Sequence, residues 1–147
     1  MPLTITADTK FITDYLDQVG KRIDDPAPLL DQIGMLMETR ISNRFETMTD
    51  PGGKKWTKWA ESTKAAYPDD GHGRLLDRYG DMLRSLTHTA DARSAKIGFG
   101  SATAAYHEFG TKRMPRRGLL FDDPESAKLA DGDRQAILDL VSDYLQT

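Results

Sequence analysis

The sequence of 147 residues contains no cysteine. Disulfide frameworks, thiolate nucleophiles and cysteine-ligated metals are therefore excluded, which fits a protein made in a reducing cytoplasm. No apolar run approaches the roughly 20 residues that a membrane-spanning helix requires. The first residues also lack the basic flank and apolar core of a secretory signal. We expect no association with a membrane.

Histidine is scarce, and its three copies do not form a site. His72, His88 and His107 fall in a glycine-rich loop, a predicted strand and a predicted short helix. None has the i, i+4 spacing that places two imidazoles on one metal. Ser85 lies close to His88, but no nucleophile elbow surrounds it. The sequence therefore predicts a protein that is not an enzyme and that uses no metal or cofactor.

Charge is unevenly distributed along the chain, although the net charge is only −3. Residues 1–50 carry 5 basic and 9 acidic groups, residues 51–117 carry 13 and 7, and residues 118–147 carry 2 and 7. A basic middle between acidic ends can attract nucleic acid or pair with the acidic surface of a neighbouring copy. An ordinary solvated surface explains it equally well.

A long helix, predicted from Pro26 to about Met48, dominates the apolar pattern. Asp25 is placed to accept its first free amides, and proline is tolerated in the first helical turn. Its apolar residues recur at three- and four-residue steps over about six turns. They are Leu30, Ile33, Met37, Ile41, Phe45 and Met48. This helix is expected to be the spine against which a sheet packs.

The remaining elements complete one α+β domain over residues 1–147, with a small, mainly antiparallel sheet packed against the long helix and a C-terminal helix. A length of 147 residues is suited to one core. The predicted strands are Leu3–Thr6, Ser85–Ala90, Ser94–Phe99 and Gly118–Phe121. Shorter helices are predicted after Asp8 or Thr9, at Glu61–Tyr67, from Asp77 or Arg78 to Arg84, over Ala102–Phe109, and after a cap at Asp131. A mobile loop region is expected around residues 50–74.

Two segments are candidates for contact with a partner. The first interleaves cations and aromatics: Lys54, Lys55, Trp56, Lys58 and Trp59. This pattern can stack bases and hold phosphates, or it can be a loop anchored by one buried tryptophan, which its shortness favours. The second contains Lys112, Arg113, Arg116 and Arg117, and arginine forks suit phosphates and carboxylate-bearing proteins alike. We expect a loop at residues 111–117 that docks on another protein.

Several short motifs follow one another in a fixed order. They are Arg44-Phe45, Asp50-Pro51-x-Gly53-x-x-Trp56, Thr63, Leu75-Leu76 with Gly80, Met82 and Ser85-Leu86, Ile97-Gly98, Tyr106-His107-Glu108-Phe109-Gly110 and Met114-Pro115-x-Arg117. With the terminal amphipathic helix, this order resembles the phage virion morphogenesis, or tail completion, family over nearly the whole chain. Within that resemblance, Tyr106, His107, Phe109, Gly110 and Pro115 form a family packing motif.

The resemblance implies a non-enzymatic structural protein of a bacteriophage virion that acts in tail completion and head–tail joining. It implies a homo-oligomer, a hexameric ring in the neck or tail, made in the host bacterial cytoplasm. The implied partners are other neck and tail proteins, namely the tail terminator and the head-completion or connector proteins, and a contact with packaged DNA is compatible with this role. The alternative is a small DNA-binding accessory protein that uses the basic segments 54–58 and 112–117.

Overall fold

The computed structural model describes residues 3–8, 10–20, 23–58 and 80–146. The elements are strand β1 (Leu3–Asp8), helices α1 (Lys10–Val19), α2 (Ala27–Thr47) and α3 (Asp81–Arg84), strands β2 (Leu86–Ala90) and β3 (Ser94–Phe99), and helices α4 (Thr103–Phe109) and α5 (Asp131–Leu145). The predicted helix Glu61–Tyr67, residue Trp59 and most of the predicted loop region lie outside the described residues.

The three strands form an antiparallel sheet in the order β1-β3-β2. Ile97, at the centre of β3, is opposite Ile5 on one side and His88 on the other. Helix α2 packs against β2 and β3 and also contacts α5. This arrangement confirms the predicted α+β fold, in which a small antiparallel sheet lies against the long helix and the C-terminal helix.

Helix α2 follows the sequence pattern closely. The Asp25 carboxylate accepts the amide of Ala27 at 3.2 Å, as its position before the helix predicts. Met48 ends the helix in the left-handed conformation, with φ at 54° and its amide bonded to the carbonyl of Arg44. The inner face is buried throughout, at Leu29, Leu30, Ile33, Met37, Ile41 and Phe45. Since these residues recur every three or four positions, one face of the helix carries most of the core.

A glycine in the middle of α2 allows a close approach of the sheet. A Cβ on Gly34 would lie 2.4 Å from Cδ2 of His88, which projects from β2 onto the helix. The His88 ring bonds the Glu38 carboxylate through Nδ1 and lies 3.1 Å from Oδ1 of Asp31 through Nε2. Burial alone would lower the pKa of His88, but the hydrogen bonds and charges of these two carboxylates raise it above its ordinary value. The helix and sheet are thus joined by a titratable contact.

The predicted strand at Gly118–Phe121 is wrong. In the described part of the chain these residues join no ladder, and the amides of Leu119, Leu120 and Phe121 donate to the side chain of Glu108 instead. Their side chains are nevertheless buried. A short apolar run is consistent with either a strand or a buried loop, and the hydrogen-bond partner decides between them.

The start of α5 also differs from the prediction. Ala130, not Asp131, occupies the N-cap position, and it makes no side-chain cap bond. Asp133 in the first turn is fully buried and pairs with the guanidinium groups of Arg44 and Arg40, the latter at 2.9 Å. Arg44 also donates to the carbonyl of Leu119 at 2.5 Å. A carboxylate is favoured at a helix N-terminus. The ion pairs of Asp133 with Arg40 and Arg44 attach α5 to α2.

Two classes of feature are absent from the described residues. No helix among them is long and apolar enough to cross a membrane. No cluster of three or more potential ligands in the same ranges could hold a metal ion.

Candidate protein-interaction surface

The Glu108 carboxylate organises the segment that follows α4. It is fully buried, and its oxygens accept the amides of Leu119 at 2.5 Å, Leu120 at 3.2 Å and Phe121 at 2.7 Å. Hydrogen bonds to an ionised acceptor are stronger than those between neutral groups. Three consecutive backbone amides therefore converge on one side chain, and the chain turns around it.

Arg116 is directed inward by the same turn. Its Nε donates to the carbonyl of Glu108 at 2.8 Å, and its Nη2 donates to the carbonyl of Phe121 at 2.6 Å. The guanidinium also lies 3.8 Å from the Glu108 carboxylate. A Cβ on Gly118 would lie 2.8 Å from this guanidinium. Arg116 thus holds the turn together, and only about a third of its side chain is exposed.

Arg117 joins the two candidate segments. It is buried, and its guanidinium donates to the carbonyls of Thr57 at 2.7 Å and Lys58 at 3.0 Å. Trp56 makes the reciprocal contact, because its indole Nε1 donates to the carbonyl of Gly118 at 2.9 Å. The Trp56 ring is buried edge-on against Phe45, with ring centroids 5.6 Å apart. Segments 54–58 and 112–117 are therefore neighbours in the fold.

Helix α4 faces solvent with its aromatic side chains. Tyr106 is 57% exposed and Phe109 46% exposed, whereas the buried residues of the helix are Ala104 and Glu108. The usual amphipathic order, with aromatics inside and carboxylates outside, is inverted. Tyr106 and Phe109, which the resemblance assigns to a packing motif, do not pack in the core of the described chain.

Gly110 ends this helix and redirects the chain toward the cationic loop. Its φ is 74° and its ψ is 168°, so the backbone has the positive φ expected of a glycine but is extended rather than left-handed helical. A Cβ there would lie 3.1 Å from the amide of Arg116. A tight turn bridges Thr111 and Met114, and Pro115 after it is exposed. Glycine is needed here for both conformation and space.

The other cations of the two segments lie on the surface. Lys54, Lys55, Lys58, Lys112 and Arg113 are exposed. Lys55 has a local role as well, since its Nζ donates to the carbonyl of Thr47 at 2.9 Å at the end of α2. Of the cations predicted as contact residues, Arg116 and Arg117 instead bind backbone carbonyls. The surface that remains combines two aromatics with lysines and one arginine.

His107 lies beneath this surface. Its Nδ1 is buried and has no hydrogen-bond partner among the described residues, and its carbonyl accepts the amide of Arg117 at 2.8 Å. Burial, and then the charge of Arg117, lower the pKa of His107. A neutral imidazole is therefore favoured, and it supports the turn through its backbone.

The sequence did not predict that three charged side chains would be buried and paired: Arg44, Glu108 and Asp133. Arg44 lies on the apolar seam of α2, three residues after Ile41, and Glu108 lies one helical turn after the buried Ala104. A charged residue at an inward position of a helical pattern is the signal that could have identified them. The pattern of one helix does not indicate which residue elsewhere in the chain pairs with the buried charge.

Comparison with known proteins gives a consistent result. The model of the phage virion morphogenesis family matches residues 7–146. "Putative capsid assembly protein G" of Escherichia phage Mu is 32% identical over 114 residues, covering 75% of this chain and 72% of its own. "Mu-like prophage FluMu G protein 2" of Haemophilus influenzae is 27% identical over 135 residues, covering 92% and 89%. No solved structure gives a significant match.

Proposed function

This chain belongs to the phage virion morphogenesis family, and from that premise we propose that it acts in tail completion and head–tail joining as one subunit of a ring in the neck or tail. An assembly role of this kind requires stable surfaces that other proteins recognise, rather than a reactive centre. The ring would be hexameric, and its neighbours would be the tail terminator and the head-completion or connector proteins. The chain would be made in the host cytoplasm and retained in the virion.

The inverted helix α4 is the observation that carries this proposal. Exposing Tyr106 and Phe109 to water is unfavourable, and aromatic side chains dominate the binding energy of protein interfaces. The Glu108 carboxylate, by holding residues 119–121, fixes which face of the helix is inward. A fixed aromatic pair beside Lys112 and Arg113 supports a docking surface that is formed before its partner binds.

Hydrogen bonds hold the backbone beneath this surface in place. Arg117 and Trp56 link it to the segment after α2, and Phe45 of α2 contacts Trp56 directly. Binding therefore requires little ordering of the backbone at residues 107–118, which lowers the entropic cost of association. This supports a structural protein whose contact surface is held in place by hydrogen bonds and by packing against the core.

Genetic complementation tests the proposal. A phage lacking this gene would be supplied with the Lys112→Ser/Arg113→Ser variant, which removes two exposed cations without touching Arg116 or Arg117. Complete virions should fall at least tenfold, and electron microscopy should show separate heads and tails. The control is Arg93→Ser/Lys96→Ser, which removes an exposed arginine and lysine from the β2–β3 hairpin.

The outcomes are distinct. If the test variant yields normal virions while the gene itself is essential, these cations do not serve joining. If heads fail to form at all in the deletion, the chain acts in capsid assembly and the proposed place in the tail and neck is wrong.

A further inference from the structure

A groove beside α2 has no partner within the described chain. It lies between α2, α3 and β2 and has a volume of about 450 Å³. Met35, Leu83 and Leu86 supply its apolar lining. Met35 is 55% exposed, so the groove offers apolar surface to a partner.

The exposed large apolar side chains of the described residues divide between two places. Met35 belongs to the groove, which is concave, and Tyr106 and Phe109 belong to α4, which is convex. Neither aromatic lines the groove of its own chain. A methionine-lined surface adapts well to an aromatic ring, because the thioether is flexible and makes favourable contacts with ring edges.

Charge favours the same pairing. Among the described residues, the groove lining contains one carboxylate, Glu38, and no cation. Residues 101–117 present the exposed cations Lys112 and Arg113, and their one carboxylate, Glu108, is buried. A cation arriving with the aromatic pair would therefore meet an opposite charge at Glu38, whose other oxygen bonds the His88 ring.

We propose that the Tyr106–Phe109 face of one copy docks in the Met35–Leu83–Leu86 groove of a second copy, with Lys112 and Arg113 placed toward Glu38. The inference deepens the proposed ring and rests on it. The two surfaces differ, so the contact is heterologous, and after a single contact one copy still has a free groove and the other a free aromatic face. Repetition of such a contact gives a closed ring or an open filament.

Two variants separate the two surfaces in purified protein. Tyr106→Ser/Phe109→Ser removes the aromatic face, and Met35→Lys places a cation in the groove. Met35 is exposed on a helix, so its replacement should leave the fold intact, and circular dichroism checks both variants. Analytical ultracentrifugation at about 100 µM should show wild-type oligomers larger than dimers. Each variant alone should be monomeric, with its self-affinity reduced at least tenfold.

Mixing the two variants gives the decisive result. The groove is intact in one variant and the aromatic face is intact in the other, so an equimolar mixture should form a heterodimer and nothing larger. The Met35→Leu variant keeps an apolar groove and should assemble as the wild type does. A mixture that remains monomeric, variants that assemble alone, or a wild-type chain that stays monomeric at this concentration would each overturn the proposed contact.

Failure of this contact and failure of the proposed function have different signatures. A wild-type chain that assembles through these surfaces but is dispensable for joining heads to tails contradicts only the function. A chain that is required for joining but assembles independently of both surfaces contradicts only the contact.

Discussion

The buried carboxylate of Glu108 offers the sharpest test of how the candidate surface is held. In the Glu108→Gln variant one oxygen is kept, but an amide NH2 group faces at least one backbone N–H of residues 119–121. Losing a charge-assisted hydrogen bond costs about 1.5–3 kcal/mol, and a buried N–H without an acceptor costs about 1–3 kcal/mol. The free energy of unfolding should therefore fall by about 2.5–6 kcal/mol. Domains are stabilised by about 5–15 kcal/mol in total, so this loss is large.

Urea denaturation at pH 7, followed by circular dichroism, measures this change. The control is Glu125→Gln, an identical substitution at an exposed position, which should alter stability by less than about 0.5 kcal/mol. The slope of the free energy against urea should be the same in both variants, because the surface exposed on unfolding is unchanged. A loss below about 1 kcal/mol for Glu108→Gln would refute the view that this carboxylate fixes residues 119–121.

Three further predictions concern the helix–sheet contact and the surface charge. Gly34→Ala should destabilise the wild type, because its Cβ overlaps the His88 ring. In a His88→Ala background the same substitution should stabilise α2 by up to about 1 kcal/mol through helix propensity. A change of stability with the same sign in both backgrounds would contradict the overlap. The folded pKa of His88 is raised above its unfolded value, so its stabilising effect is complete below the unfolded pKa and is lost as pH rises through the folded pKa. The urea midpoint of wild type minus that of His88→Asn should thus decrease from pH 6 upward, and a constant difference would exclude the titration. If the chain binds DNA, the five exposed cations of the two segments, Lys54, Lys55, Lys58, Lys112 and Arg113, limit the slope of log K against log salt to about −4.5. A steeper slope would require phosphate contacts elsewhere.

The regular elements could be predicted because their information is local. The seam of α2 repeats over six turns, and the β2–β3 hairpin is bounded by Asp91, whose carboxylate accepts the amides of Arg93 at 2.7 Å and Ser94 at 2.9 Å. Periodicity and turn residues lie within each segment itself. Both elements were therefore predicted within about one residue of their observed bounds.

The candidate surface could be predicted only in part, because its geometry depends on contacts between segments. A tryptophan among lysines correctly favoured an anchored loop, and Trp56 is that anchor. The inward directions of Arg116 and Arg117 depend on carbonyls that the local pattern does not identify. An aromatic pair at helical spacing normally indicates core. Here the orientation of α4 is set instead by the hydrogen bonds from the amides of residues 119–121 to the Glu108 carboxylate.

The pairing of Arg44 with Asp133 has a consequence for the timing of folding during synthesis. Arg44 is on the buried seam of α2, whereas its carboxylate partner lies 89 positions later in the chain. Until the ribosome has released that region, closing the core around α2 would bury an uncompensated charge, which is strongly unfavourable. We therefore expect the core around α2 to close only after α5 has been made.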